Sequence, residues 1–344
     1  MKLTTFIGPE GTRQIGALVE DDQLVMLQAG AIALEGTPTP HFHSMLSFLR
    51  GGAAASYKAH VVIDFVTNQR PPGTLMSLEL VTLLAPVPVP ESIRDGMAFE
   101  QHIINAIRRA GFGRLAIVDE TVERLFGRKA SLAYRLNKAW YQRPVYYKSN
   151  RFSVVGHGAN VAIPSYAGAM DYELEWGVFI GAPGSDIPES KAASHIAGYV
   201  VFNDFSARDI QMAEMAGRLG PAKGKDFDTG NAIGPWLVTP EEIPDPYDLA
   251  MTARVNGEEW SRGSTRDMHW TFEQMISYIS RSETLYPGEF IGSGTCSGPE
   301  GSGCGLEMGR SLKAGDVVEL EVERIGVLRN RLVARQPRRA PKGS

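Results

Sequence analysis

The sequence predicts an α+β protein that is mainly β, and three observations support this. Short runs rich in β-branched and aromatic residues alternate between apolar and polar side chains, as strands do. Turn-forming residues separate many of these runs, and helical spacing is confined to a few segments. The predicted strands are 2–7, 15–19, 23–27, 144–148, 152–156, 173–181, 198–205, 249–256 and 316–323, with a hairpin-like stretch at 324–333. The predicted helices are 42–50, 54–68, 97–110, 119–141, 189–197 and 271–282.

The order of these segments predicts two domains. Residues 1–90 combine hairpin-spaced strands with two helical stretches and are expected to form a small β-rich N-terminal domain. The Pro-rich run from Leu84 to Glu91 cannot lie inside a helix, so the boundary is placed there. A larger domain is expected over 91–334, and the basic, Pro-containing residues 335–344 are expected to form a flexible tail.

Composition narrows the function classes. The chain has 344 residues, a net charge of −4 and a pI of about 6.0, so neither a nucleic-acid partner nor an anionic membrane surface is indicated. No stretch has the length of a signal peptide's apolar region or of a membrane span. We therefore expect a cytoplasmic enzyme. Cys296 and Cys304 are expected to be reduced small residues, with a regulatory disulfide as the alternative.

An acidic strand is the first candidate site. The alternation between Asp171 and Gly181 predicts a half-buried strand on which Asp171, Glu173 and Glu175 share one face. Like charges on one face repel unless water or a cation separates them, and hard cations such as Mg²⁺, Mn²⁺ and Ca²⁺ prefer oxygen ligands. Asp204, at the end of the next predicted strand, is a third candidate ligand. Its alternative role is to cap a following helix.

Several ordered motifs resemble the fumarylacetoacetate hydrolase family, over residues 95–333, about two thirds of the chain. These motifs are Asp171-Tyr-Glu-Leu-Glu175, Asn203-Asp-Phe-Ser-Ala-Arg-Asp-Ile-Gln211, Lys223-Gly-Lys-Asp-Phe-Asp228, Gly234-Pro-Trp236 and Gly294-Thr-Cys-Ser-Gly-Pro-Glu300. The resemblance implies a C-terminal mixed β-sandwich roll and a homodimer. It also implies a divalent metal, with Mg²⁺ expected first and Mn²⁺ or Ca²⁺ as alternatives. The implied ligands are Glu173, Glu175, Asp204 and, as a fourth candidate, Asp95, while Asp171 is left without a role.

The resemblance also implies a catalytic pair. His102 stands seven residues after Asp95, as the catalytic histidine does in larger family members, and Glu307 fits the place of the glutamate that orients it. Smaller members carry a glutamate three residues after the histidine, where this chain has Asn105. A neutral imidazole can take a proton from water, and a carboxylate on its other nitrogen stabilises the imidazolium. The alternative is that His102 is an exposed helix residue.

Further residues match substrate-contacting positions of the family. The substrate-binding candidates are Arg208, Gln211, Tyr147, Gly294 and Thr295, and Lys225 is expected to stabilise a developing enolate. The alternatives are a surface salt bridge of Arg208 to Asp209 or Glu214, a solvated loop around Lys225 and a core position for Tyr147. Met97 departs from the pattern, because many relatives carry a substrate-contacting tyrosine there.

The expected activity is metal-dependent hydrolysis of a carbon–carbon bond in a 2,4-diketo acid, an acylpyruvate or a related 1,3-dicarbonyl compound, as in aromatic catabolism. In this scheme His102 activates water, and the metal stabilises the enolate. The alternative is a 2-oxo acid decarboxylase, hydratase or keto–enol tautomerase that uses the same site. A cation-binding protein without catalysis is a third alternative.

Overall fold

The computed structural model describes residues 1–20, 22–109, 113, 115–299 and 301–334, so the predicted tail at 335–344 lies outside the described residues. The helices are α1 (Leu27–Glu35), α2 (Met45–Gln69), α3 (Glu100–Ile107), α4 (Leu115–Phe126), α5 (Leu132–Leu136), α6 (Glu189–Ala192), α7 (Arg208–Ala216), α8 (Phe272–Ile279) and α9 (Gly305–Met308). No helix among the described residues is both long enough and apolar enough to cross a bilayer.

Strands occur throughout the chain. They are β1 (Lys2–Ile7), β2 (Arg13–Val19), β3 (Gln23–Met26), β4 (Leu75–Ser77), β5 (Thr82–Leu83), β6 (Ile93–Gly96), β7 (Tyr146–Ser149), β8 (Val154–Val155), β9 (Asn160–Ile163), β10 (Met170–Asp171), β11 (Leu174–Ile180), β12 (Ile196–Asp204), β13 (Ser206–Ala207), β14 (Asn231–Val238), β15 (Ala250–Val255), β16 (Glu258–Ser264), β17 (Phe290–Gly292), β18 (Val317–Val322) and β19 (Gly326–Ala334). Helices and strands thus intermingle, and the predicted α+β class is confirmed.

Most strands form one large mixed sheet. Its order is β4-β3-β2-β1-β14-β12-β11-β17-β6-β7, with β5 paired to β1 and β8 paired to β14. Neighbours on this path are antiparallel except β17 and β6, which run parallel. The N-terminal strands therefore extend the sheet that carries the acidic strand, because β1 pairs with β14. The division into domains at residue 90 stays a prediction.

A second sheet, in the order β16-β15-β18-β19-β9, packs on one face of the large sheet. Trp176 and Val178 of β11 share a core there with Met251 and Leu320 of the second sheet. The opposite face of β11 presents Phe179 to another core, which includes side chains of β1 and α2. Apolar layers thus cover both faces of β11. The half-buried strand predicted from its alternation is wrong, because every residue of β11 is buried.

The helices of the N-terminal region cover the large sheet. The two predicted helices at 42–50 and 54–68 join into α2, which bends at Gly52, where φ is 52°, in the left-handed region that favours glycine. Helix α1 was not predicted. It buries only Leu27, Gly30 and Ala31, so its apolar face is too small to give a clear helical period.

Candidate active site

Four carboxylates meet at one end of the central strands. Asp95 comes from β6, Glu175 from β11 and Asp204 from the last position of β12, while Glu173 directly precedes β11. Side chains alternate along a strand, so Glu175 lies on the same face as Phe179, and Asp204 lies on the same face as Phe202. Both phenylalanines belong to the core on the helix-covered face. One oxygen from each of the four carboxylates lies within 4.8 Å of the others, and all four residues are buried.

The cluster has acceptor oxygens without donors. Neither carboxylate oxygen of Glu175 has a hydrogen-bond partner among the described residues, and Oδ1 of Asp204 has none either. Buried acceptors of this kind are costly unless something compensates them. Oxygen atoms on rigid strands are the ligand set that Mg²⁺, Mn²⁺ and Ca²⁺ prefer. The residues present therefore fit a hard divalent cation.

The pKa values of these carboxyl groups differ according to their neighbours. Burial, together with the charge of Asp204, raises the pKa of Asp95 to about 8. Burial also raises the pKa of Asp204 to about 6 against the opposing effect of Lys225. The pKa of Glu175 is well above its usual range because of burial and of the neighbouring Asp95. Burial works to raise the pKa of Glu173, but Lys225 and Arg208 outweigh it and hold this pKa below the usual range.

Lys225 is part of this cluster. Its side chain is only 2% exposed, and Nζ donates to Oε2 of Glu173 at 2.7 Å and to Oδ2 of Asp204. The solvated-loop alternative is therefore wrong. Burial works to lower the pKa of Lys225, but Asp204 and Glu173 outweigh it and raise this pKa above its usual value. Tyr147 of β7 lies opposite Asp95 of β6, and its hydroxyl donates to Oδ2 of Asp204.

Arg208 begins α7 and points back toward the acidic strand. Its Nη1 donates to Oε1 of Glu173 at 2.6 Å and to Oε1 of Gln211 at 2.8 Å, while Nε donates to Oδ2 of Asp171 at 2.8 Å. The alternative of a surface salt bridge is wrong, because the guanidinium is buried. Its Nη2 has no partner among the described residues. The helix starts at Arg208, so Asp204 does not cap it.

His102 and Glu307 form a buried pair. The imidazole Nδ1 lies 2.7 Å from Oε1 of Glu307, and His102 is 7% exposed, which excludes the alternative of an exposed helix histidine. Glu307 also accepts from Asn105 Nδ2 at 2.6 Å and from the hydroxyl of Ser297 at 2.5 Å. Burial works to raise the pKa of Glu307, but the hydrogen bond and charge of His102, together with the hydrogen bonds from Ser297 and Asn105, outweigh it and lower the pKa.

A short backbone path links the pair to the carboxylate cluster. Cys304 forms a backbone bridge with Glu173 and directly precedes α9, which carries Glu307. The thiol of Cys304 lies 3.7 Å from Oε1 of Glu307. Cys296 and Cys304 are both free and buried. The arrangement sets a candidate general base beside a candidate cation site.

The remaining predicted residues lie on loops around the same cluster. Gly294 and Thr295 follow β17, and the Gly294 N–H donates to Oδ1 of Asp95 at 3.1 Å. Gly294 has a φ of 73°, and a Cβ there would collide with the carbonyl of Gly96, so the position requires glycine. Thr295 is buried, and Met97 is 37% exposed.

Three polar residues at the site had no predicted role. Asn105 and Ser297 hold Glu307, and Asp171 binds both Arg208 and the start of α9. For Asp171 a signal existed, because a third acid on the acidic strand needed a partner. Asn105 and Ser297 gave no such signal, since a single amide or hydroxyl is common on any surface.

Comparisons with known proteins place this geometry in context. The family profile described as "Fumarylacetoacetate (FAA) hydrolase C-terminal" matches residues 121–333. A protein of Burkholderia multivorans, provisionally named a hydrolase, is 41% identical over 186 residues, which make up 54% of this chain and 64% of that protein. A similarly named protein of Burkholderia lata has the same identity and coverage. The match thus spans less than two thirds of these relatives' length.

Solved structures share the fold. Fumarylacetoacetate hydrolase from Exiguobacterium antarcticum has a TM-score of 0.68 at 23% identity and covers 97% of this chain and 100% of its own. Maleylpyruvate hydrolase from Sphingobium sp. SYK-6, solved with manganese(II) and pyruvate, has a TM-score of 0.67 at 20% identity, with coverages of 98% and 100%. A 2-hydroxyhepta-2,4-diene-1,7-dioate isomerase from Mycobacterium marinum has a TM-score of 0.64 at 21% identity, with the same coverages. Hydrolases and isomerases both occur among these neighbours, and the predicted fold type is confirmed.

Proposed function

Because the chain belongs to the fumarylacetoacetate hydrolase family, we propose that it is a metal-dependent hydrolase that cleaves a carbon–carbon bond in a 2,4-diketo acid, an acylpyruvate or a related 1,3-dicarbonyl compound. One observation carries the proposal. The buried side chains of His102 and Glu307 lie 2.7 Å apart. Cys304, just before the helix that carries Glu307, forms a backbone bridge with Glu173 of the four-carboxylate cluster. A general base beside a cation site is what hydrolysis of such a compound requires.

Asp95, Glu173, Glu175 and Asp204 would hold the metal ion. The oxygen ligand set suits Mg²⁺, Mn²⁺ or Ca²⁺, with Mg²⁺ as the first candidate. When bound, such an ion supplies Lewis acidity toward the oxygens of a 1,3-dicarbonyl substrate. The buried oxygens of Glu175, which have no donor among the described residues, would be compensated by the charge of such an ion.

Arg208 and Gln211 orient the acid group of the substrate. Three contacts fix the guanidinium of Arg208 at Asp171, Glu173 and Gln211, while Nη2 keeps a donor for a carboxylate oxygen. Holding the substrate by its acid group fixes which carbonyl faces the catalytic pair. Gly294 and Thr295 line the same end of the sheet, and the glycine allows close approach of a ligand.

The His102–Glu307 pair activates water. Glu307 accepts a hydrogen bond from the Nδ1–H of His102, so this tautomer leaves a lone pair on Nε2 to take a proton from water. The hydroxide adds to the carbonyl carbon distal to the acid group. The bond from that carbon to the central carbon then breaks, which gives a carboxylic acid and the enolate of a 2-oxo acid. The imidazolium returns its proton to the enolate carbon, so that one water is consumed overall.

Lys225 stabilises the enolate that leaves. Its ammonium group is buried and held protonated by Glu173 and Asp204, and a positive charge in such a dry environment favours a developing negative charge. Tyr147 is likewise kept protonated, because burial and the charge of Asp204 raise its pKa well above the usual range. These groups act on the enolate rather than on the attacking water.

The same two proton donors favour a second candidate function. Lys225 and Tyr147 could return a proton to an enolate that was formed without attack of water, as a keto–enol tautomerase or a decarboxylase needs. In that case loss of His102 would spare turnover of a 2-oxo acid while hydrolysis was lost.

Turnover of a short acylpyruvate with Mn²⁺ or Mg²⁺, followed by release of the 2-oxo acid, tests the proposal. We expect activity that is lost with chelator and restored with metal, and a loss of about 100-fold or more in His102→Ala. His43→Ala is the matched control, because His43 is an exposed histidine of the N-terminal region. Activity that is unchanged by the chelator would contradict the proposed role of the metal. Full hydrolysis by His102→Ala would contradict the proposed role of His102 as the general base.

A further inference from the structure

Asp171 is a buried aspartate that the proposed reaction does not use. It is 1% exposed and lies outside the four-carboxylate cluster, on β10. Its Oδ1 accepts the backbone N–H groups of Tyr172 at 2.8 Å and of Gly305 at 2.7 Å. Its Oδ2 accepts Nε of Arg208 at 2.8 Å and the backbone N–H of Leu306 at 2.9 Å. Both oxygens therefore make two hydrogen bonds each.

Two of these bonds hold the element that carries Glu307, the partner of His102. Gly305 and Leu306 are the first residues of α9, and their N–H groups have no acceptor within the helix. Cys304, which precedes the helix, makes no side-chain cap, so Asp171 supplies the acceptors from another part of the chain. Glu307 is the next residue, and its orientation toward His102 depends on where this turn sits.

A third bond holds the residue that binds the substrate's acid group. Asp171 of β10 and Glu173, which directly precedes β11, contact the guanidinium of Arg208, and Gln211 contacts it from α7. These contacts use Nε and Nη1 and leave Nη2 without a partner among the described residues. The direction of Nη2 is therefore set by the pairing of Nε with Asp171 together with the two contacts of Nη1.

We propose that Asp171 is a positioning residue that ties the orientation of Arg208 to that of the His102–Glu307 pair. The inference rests on the proposed function for the roles of those three residues. One carboxylate joins the acid-binding side of the site to the water-activating side, so it fixes the distance between the guanidinium of Arg208 and the His102–Glu307 pair. Partners that orient active residues in this way are typically worth about 10- to 100-fold in affinity or activity.

The backbone at α9 has the shape that this contact needs. A Cβ on Gly305 would lie 2.5 Å from Oδ1 of Asp171, so only glycine lets the carboxylate approach the start of the helix. Gly305→Ala therefore disturbs the contact between Asp171 and α9 from the side of the helix, and it leaves the charge of Asp171 in place. The added methyl would also press on the carbonyl of Arg310, which makes this variant a second rather than a first choice.

Asp171→Asn is the primary variant, because the amide keeps the size of the side chain but replaces one acceptor oxygen with a donor facing Arg208 or α9. Asp209→Asn is the matched control. Asp209 also accepts backbone N–H groups, from Gly168 at 2.9 Å and Ala169 at 3.4 Å, but it is exposed. We expect Asp171→Asn to raise KM and lower kcat, each by about tenfold or more, whereas the control changes neither.

Two measurements without turnover separate this inference from the proposed function. In Mn²⁺-loaded protein, calorimetry should show oxalate binding weakened about tenfold or more in Asp171→Asn. In protein loaded with diamagnetic Mg²⁺ instead, the ¹⁵N signals of His102 should show one tautomer in the wild type and a mixture in the variant. If no diketo acid is turned over but both changes appear, the proposed function fails and the positioning role stands.

A folded Asp171→Asn protein with wild-type oxalate affinity and an unchanged His102 tautomer would overturn the inference. So would a variant in which kcat falls while KM and the tautomer stay constant, since a lower active fraction alone would explain that. Should Asp171→Asn not fold, Gly305→Ala is measured in its place with the same expectations. Loss of folding in both variants would make Asp171 a stability residue and would equally contradict a positioning role.

Discussion

Replacing Glu307 with glutamine removes the charge behind His102 without changing the size of the side chain. Glu307 is almost fully buried and accepts from His102, Asn105 and Ser297 at 2.5 to 2.7 Å. A glutamine can accept on one atom only, so its amide group must face at least one of these donors. The variant also lacks the negative charge that stabilises the imidazolium formed when water is deprotonated.

The size of the effect follows from that lost interaction. A hydrogen bond to a charged group is worth about 1.5–3 kcal/mol. At about 1.4 kcal/mol for each factor of ten, the loss corresponds to about 10- to 150-fold in kcat. KM should stay close to the wild-type value, because Glu307 contacts the histidine and not the substrate. An interaction that matters only in the transition state lowers kcat and kcat/KM together.

Steady-state release of the 2-oxo acid, with the metal saturating, measures both constants. Glu321→Gln is the control, because Glu321 lies on β18, is 43% exposed and pairs with Arg254 at 2.8 Å. A kcat of Glu307→Gln within a factor of about two of the wild type would refute the role of the pair. A large rise in KM at constant kcat would also refute it, since it would place Glu307 in substrate binding.

Further predictions concern charge and packing. Lys225→Met should lower kcat by about 100-fold while Mn²⁺ still binds in calorimetry, whereas its exposed neighbour Lys223→Met should behave as wild type. In chelated protein, the pKa values of about 8 for Asp95 and about 6 for Asp204 lie above the ordinary carboxyl range. The stability that these protonated groups contribute is fully present below the ordinary carboxyl range. It is lost as the pH rises through about 6 and then about 8, which thermal unfolding measures. The affinity for the metal rises over the same pH interval, which calorimetry measures. Phe179→Ala should cost about 3–5 kcal/mol in denaturant unfolding, because the ring fills the core on the helix-covered face.

Much of the site could be predicted because its residues belong to local motifs. Glu173 and Glu175 precede or begin one strand, and Asp204 ends the strand paired with it, so alternation and strand order bring them together. Asp95 and Tyr147 come together through the pairing of β6 with β7, which periodicity could not indicate for such short strands. Only the family resemblance joined His102 to Glu307, which lies 205 positions away in the chain.

Burial was the property that was predicted least well from the sequence. The alternation in β11 predicted one solvated face, yet Phe179 and Trp176 pack into two different cores. The charged residues near the strand's start are compensated by Arg208 and Lys225, which come from later segments. Compensation of buried charge by distant residues leaves no local pattern, so the sequence indicated that Asp171 needed a partner but not that Arg208 and the start of α9 supply it.

Hydrolysis in ¹⁸O-labelled water tests the central claim most directly. A short acylpyruvate is turned over by the Mn²⁺-loaded enzyme, and the masses of both products are measured, with unreacted substrate as the correction for exchange of carbonyl oxygen. If His102 activates a water that attacks the distal carbonyl, the new carboxylic acid carries one oxygen from the solvent, and the carboxylate of the 2-oxo acid carries none. Products without solvent oxygen in the new acid, or an isomer of the substrate as the only product, would contradict the account.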